Sequence, residues 1–255
     1  MCGIHVAISS GDFLAPGQDL KHLLCNRGPD HIGEAQGRAE SDGIIHKISF
    51  TSTVLGLRGG HVTPQPFVDQ QSGSILCWNG EAWKIGPDTV VGNDGERVFE
   101  AMLKASATQN SLASSGPCVL EALKSICGPF AFVFFDNTRK YLYFGRDRLG
   151  RRSLLYHIAE NTNTIKLSSV SDPKIGLWNE VEADGIYVLS WSRDEATREL
   201  QHLDTSLMLT SRFPVHKYAW EVEPRDHGHI PQRLQGQRQE APDYVGGETL
   251  NTFNP

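Results

Sequence analysis

The stretch Met1-Cys2-Gly3-Ile4-His5-Val6-Ala7-Ile8-Ser9 opens the chain. Ile4, Val6 and Ile8 alternate with small or polar neighbours, which predicts a strand over residues 2–9 with one apolar face. The strand starts on a cysteine in the second position of the chain. Once Met1 is removed, Cys2 carries a thiol and a free α-amine on one residue, a nucleophile together with its own base. An α-amine titrates at about 7.7–8.0 and a free thiol at about 8.5, so the pair needs no separate histidine to work near neutral pH.

Outward from this strand, Leu20, Leu23 and Leu24 predict a helix over 18–26, ended by the turn Arg27-Gly28-Pro29-Asp30, because Pro29 cannot continue it. Alternation over 44–57 predicts one or two strands. A further strand is expected over 74–78, broken by Asn79-Gly80, a pair that readily takes positive φ. Residues 94–108 read as a helix with Asn93 or Asp94 as its cap, Glu96 in the first turn and Val98, Phe99, Met102 and Leu103 as the buried stripe. A short helix over 119–126 follows a Ser/Gly-rich connection. Strands are then predicted over 130–136, 141–145, 154–158, 165–169 and 185–191. Strands at both ends with helices between them indicate an α+β fold with packed antiparallel sheets, not alternating βαβ units.

Composition sets further bounds. The 255 residues carry 24 Lys+Arg against 30 Asp+Glu, a net charge of −6. That balance argues against a nucleic-acid partner bound through counterion release. The cysteines are odd in number and scattered without a C-x-x-C pair, so neither a disulfide framework nor a zinc site is expected. The first residues lack the basic flank and apolar run of a signal peptide, and the chain has no run of 18 apolar residues. A cytoplasmic protein with no membrane partner and no cofactor is expected. From about residue 203 aliphatic periodicity fades, and 221–255 is rich in Pro, Gly, Gln and charge, too poor in apolar residues to offset ordering entropy. The expected organisation is a domain over 2–202 and a linker or disordered tail over 203–255. His227 and His229, in that tail, are read as ordinary polar residues and not as metal ligands.

Several short phrases occur in a fixed order: Met1-Cys2-Gly3-Ile4, Arg27-Gly28-Pro29-Asp30, Leu57-Arg58-Gly59, Gln65-Pro66, Trp78-Asn79-Gly80-Glu81, Asn93-Asp94-Gly95-Glu96 and Gly128-Pro129-Phe130-Ala131-Phe132. Gly145-Arg146-Asp147-Arg148-Leu149-Gly150 follows them. The series resembles the class II glutamine amidotransferase domain of the asparagine synthetases, which are N-terminal nucleophile hydrolases, over about residues 2–200. FGRDRLGRRSLLYH, LWNEVEADGIYVL and ILCWNGEAW resemble more closely still the branch of asparagine synthetase domain-containing proteins.

The resemblance implies a four-layer αββα fold with two face-to-face antiparallel sheets. It also implies hydrolysis of L-glutamine to glutamate and ammonia through a thioester, linked to asparagine biosynthesis. By the same resemblance Cys2 is the nucleophile, and Asn79 and Gly80 form the oxyanion hole. Arg58 takes the substrate carboxylate, Asp94 and Glu81 the α-ammonium, and Val62 lies on the substrate-binding wall. A free amino acid carries both charges, so a selective pocket needs one cation and one anion beyond the reacting amide.

Two departures from the family pattern stand out. Arg58 is followed by Gly59-Gly60-His61-Val62, where the asparagine synthetases usually have Leu-Ser-Ile-Val, and the chain contains no Ser-Gly-Gly-x-Asp-Ser pyrophosphate loop. The ammonia acceptor is therefore expected on a synthetase domain or chain outside this sequence. The alternative reading is a catalytically silent module of the same fold, serving binding or regulation. Arg146, Arg148, Arg151 and Arg152 are read as a structural turn and not as a phosphate or nucleic-acid patch.

Overall fold

Strand β1 (Gly3–Ser9) is buried along its whole length, because it lies inside a sheet covered on both faces. A computed structural model describes residues 1–58, 60–108, 118–159, 162–191 and 215–220. In the first sheet β1 sits between β3 (Ile44–Val54) and β12 (Thr164–Ser168), and the order is β13-β11-β12-β1-β3-β2, with β2 (His31–Ser41), β11 (Leu155–Ala159) and β13 (Asn179–Glu180). The second sheet runs β15-β14-β10-β9-β5-β4, with β4 (Phe67–Val68), β5 (Ile75–Gly80), β9 (Phe130–Asp136), β10 (Tyr141–Arg146), β14 (Gly185–Ser190) and β15 (Val215–Ala219). A small third sheet joins β7 (Asp88–Thr89), β6 (Lys84–Ile85) and β8 (Ile126–Cys127).

The side chains of the two large sheets interleave. Ile4, Val6, Ile8 and Phe50 meet Ile75, Cys77, Val133, Phe135 and Leu142 in one core between the sheets. The other face of the second sheet, Leu76, Trp78, Phe130, Phe132 and Phe134, packs on Val98, Met102, Leu120 and Leu123 of α2 (Asp94–Ala107) and α3 (Cys118–Lys124). Helix α1 (Gln18–Arg27) buries Leu20 and Leu24 and lies against β1 and β3. The layers are thus helix, sheet, sheet, helices, the α+β arrangement αββα. β9 is apolar at every position before Asp136 because it feeds a core on each face.

At four places the structure departs from the sequence reading or chooses between its alternatives. Asn79 and Gly80 do not break a strand: β5 runs through both, paired with Ala131 and Phe130 of β9. Glycine is needed at 80 for close approach, since a Cβ there would lie 2.7 Å from both Phe130 Cβ and Trp78 Cζ2. Asn93, not Asp94, caps α2, its side-chain oxygen accepting from the Glu96 amide at 3.1 Å.

Strand β2, which the apolar pattern did not reveal, hides its register in small residues. Its inward positions are His31, Gly33, Ala35, Gly37 and Ala39, and a Cβ on Gly37 would already be 3.0 Å from the Phe135 ring. Finally, β15 lies within the stretch 203–255 expected to be linker or tail. Val-His-Lys-Tyr-Ala pairs with β14, and Tyr218 and Trp220 join the helix-side core. His227 and His229 lie outside the described residues.

Candidate active site

One cavity opens where the start of β1 faces the end of β5. Cys2 shares the strand phase of the inward-facing Ile4, Val6 and Ile8, and Asn79 shares that of Ile75 and Cys77, so both fall on the inter-sheet side. The cavity wall includes Cys2, Gly56, Arg58, Thr63, Gln65, Trp78, Asn79, Gly80, Glu81, Asp94 and Arg152. Of the candidate residues, Cys2, Arg58, Asn79, Gly80, Glu81 and Asp94 therefore come together from separate parts of the chain. Val62 does not line the cavity. It is 39% exposed and its Cγ2 would lie 3.2 Å from a Cβ placed on Gly56.

Each wall element is fixed by the local sequence. The turn after α1 holds the cysteine's surroundings: Arg27 Nε donates to the Cys2 carbonyl at 3.4 Å, and Asp30 accepts from the Gly56 amide at 2.7 Å. The Asp30 amide in turn donates to the Val54 carbonyl at 2.9 Å, which ties residues 55–58 to this turn. Arg58 is steadied by donation from Nη1 to the Ala82 carbonyl at 3.1 Å.

Asp94 is buried at the first turn of α2, and its Oδ2 accepts from Trp78 Nε1 and from the Ala82 amide, both at 2.9 Å. Those two donors hold the carboxylate in one orientation, beside a helix N-terminus whose dipole favours its charge. Gln65 is buried and accepts from the Trp78 amide at 2.8 Å. Glu81 meets Arg152 at 3.4 Å.

Two features bear on chemistry. Burial pushes the Cys2 thiol above its ordinary value and the Asp94 charge adds to that, whereas the chain's amino terminus and the Arg27 guanidinium oppose it. The side-chain nitrogen of Asn79 is buried and has no hydrogen-bond partner among the described residues, although a buried amide N–H is costly to leave unpaired. An unpaired donor on the wall that also carries a thiol is what a reaction developing negative charge on an oxygen requires.

The glutamine amidotransferase domain family matches residues 1–186. The chain belongs to that family. The human protein named asparagine synthetase domain-containing protein 1 is 32% identical over 193 residues, 73% of this amidotransferase chain and 28% of its own length. Its chicken counterpart is 33% identical over 211 residues, 77% of this chain and 30% of its own. The hamster (Mesocricetus auratus) asparagine synthetase [glutamine-hydrolyzing] is 24% identical over 170 residues, 63% of this chain and 27% of its own. This amidotransferase chain thus spans less than a third of the curated relatives it matches. Among solved structures, one described as the allosteric regulatory enzyme of purine biosynthesis superposes with a TM-score of 0.52 at 14% identity, covering 87% of this chain and 50% of that one. That likeness is one of fold, the N-terminal nucleophile amidotransferase fold.

Several wall residues carry no role in the sequence pattern. Gln65 and Trp78, which line the cavity, lie inside the quoted motifs, as does Arg27, which reaches the Cys2 carbonyl, but a motif does not say which member touches it. Arg152 was read only as part of a turn. The turn itself is structural: Asp147 accepts from the Phe130 amide at 3.0 Å and from Arg151 Nε at 2.9 Å, and Arg146 is tied to Glu180 at 2.6 Å and to the Gly150 carbonyl. Among the described residues no group of three or more metal-ligating side chains occurs, and no helix is long and apolar enough to cross a membrane.

Proposed function

We propose that this chain is a glutamine-hydrolysing amidotransferase module of class II, with Cys2 as nucleophile. The observation that carries the reading is the unpaired, buried side-chain N–H of Asn79 on the same cavity wall as the Cys2 thiol. After removal of Met1, the free α-amine of Cys2 takes the thiol proton and the sulfur attacks the side-chain amide carbon of glutamine. Asn79 Nδ2–H and the Gly80 backbone receive the charge that forms on the amide oxygen. The C–N bond breaks, the amine returns the proton to the departing nitrogen as ammonia, and water cleaves the thioester to glutamate.

Arg58 suits the substrate α-carboxylate, since a guanidinium supplies paired donors, and Asp94 suits the α-ammonium through its free oxygen. Val62 is assigned to the outer rim of the same wall. Ammonia passes to a synthetase site beyond this sequence, and by the names of the relatives that site belongs to asparagine synthesis.

Glutamate release from L-glutamine by the purified chain tests the reading. Asn79→Ala is expected to lower kcat about 100- to 1,000-fold, the usual loss for one oxyanion donor. Release by the wild type no faster than by Cys2→Ala would overturn it and favour the silent module. Intact mass supplies an independent check, because a retained Met1 leaves the Cys2 nitrogen in a peptide bond and unable to act as base.

A further inference from the structure

Among the described residues, Arg152 is the cavity side-chain cation that the mechanism above leaves unused. Its backbone is fixed by the turn before it: the Arg152 carbonyl accepts from Arg146 Nε at 2.7 Å, and the neighbouring Arg151 amide donates to Asp147 at 3.1 Å. The side chain is therefore launched from a rigid base, is only 19% exposed, and reaches Glu81 Oε1 at 3.4 Å. It is also close enough to Arg27 that its charge, after burial, helps to hold the Arg27 guanidinium below its ordinary value.

Glu81 and Asp94 are the two carboxylates on the wall, and Arg58 and Arg152 two guanidiniums. A ligand ammonium approaching Glu81 thus meets a carboxylate that already shares its charge with a fixed cation.

We infer that Arg152 is a specificity-determining residue, which weakens the hold of Glu81 on a ligand's α-ammonium and strengthens the site's attraction for ligand carboxylates. This rests on the glutamine reading of the cavity. The consequence is electrostatic and has a definite sign. Removing Arg152 favours a zwitterionic ligand relative to an anionic one of the same shape, whatever the change does to both together. Glu81 is 47% exposed, so solvent screens the pair and a modest factor is expected.

The test compares L-glutamine with glutaramate, the same carbon skeleton and amide without the amine. Each ligand's apparent Kd is read from its protection of Cys2 against alkylation by iodoacetamide, at initial rate and excess ligand, which reports occupancy whether or not the bound amide is turned over. In Arg152→Gln the ratio of the glutaramate Kd to the glutamine Kd is expected to rise about threefold over wild type. Arg152→Lys, which keeps the cation, is expected to hold the wild-type ratio. In a Glu81→Gln background Arg152→Gln is expected to shift the ratio less, since the two residues act as a pair.

A merely structural Arg152 would weaken both ligands by the same factor in Gln and Lys variants alike, and an unchanged ratio in Arg152→Gln overturns the inference while leaving the glutamine reading intact. Failure of glutamine to protect wild-type Cys2 overturns both.

Discussion

At the scale of single residues, the cavity places opposed influences on one sulfur. Burial and the Asp94 carboxylate raise the Cys2 thiol, whereas Arg27 lowers it. In the chain that retains Met1, alkylation of Cys2 followed against pH is expected to show a midpoint above that of a free cysteine. Arg27→Gln is expected to move it further up and Asp94→Asn to bring it down. A wild-type midpoint at or below the free value, or shifts of the same sign in both variants, would contradict this account. The sign follows from charge: a nearby cation favours the thiolate and a nearby anion the thiol. In the proposed reaction the α-amine beside the thiol compensates for a raised thiol, since it removes the proton during attack and the thiolate need not exist beforehand.

At the scale of elements, close backbone contact decides where the site residues stand. The end of α1 is pressed against β3, with Thr53 Oγ1 donating to the Leu24 carbonyl at 2.6 Å. Gly28 permits this, because a Cβ there would lie 2.5 Å from Thr53 C and Val54 N. Its φ is −138°, so the need is for space and not for a left-handed backbone. Gly28→Ala is expected to cost about 1–3 kcal/mol in urea unfolding, as an overpacked interior site does. An unchanged midpoint would show that the helix end can yield. The same contact carries Arg27 and Asp30 to Cys2 and Gly56, so this substitution is expected to disturb the cavity as well as the fold.

At the scale of the whole molecule, the second sheet extends to β15, and its last strand gathers residues far from the site in sequence. A chain ended at 202 loses Tyr218 and Trp220 from the helix-side core and bares the edge of β14, whereas one ended at 220 keeps both. Burial of two aromatic side chains at about 1.5–3 kcal/mol each predicts a thermal midpoint about 6–24 °C lower for the shorter chain. Equal midpoints for the two would mean that β15 adds no stability.

The sequence by itself determined the α+β class and the strands with strong apolar alternation or continuous apolar runs. It also determined the candidate residues Cys2, Arg58, Asn79, Gly80, Glu81 and Asp94, because ordered motifs and residue chemistry are local properties. Packing between distant segments settled that Asn79-Gly80 continues a strand, that β2 and β15 complete the sheets, and that Arg152 lines the cavity while Val62 does not. Those outcomes depend on what packs opposite each residue, as Phe135 does for Gly37 and Glu81 for Arg152, and such partners lie too far along the chain for local pattern to record.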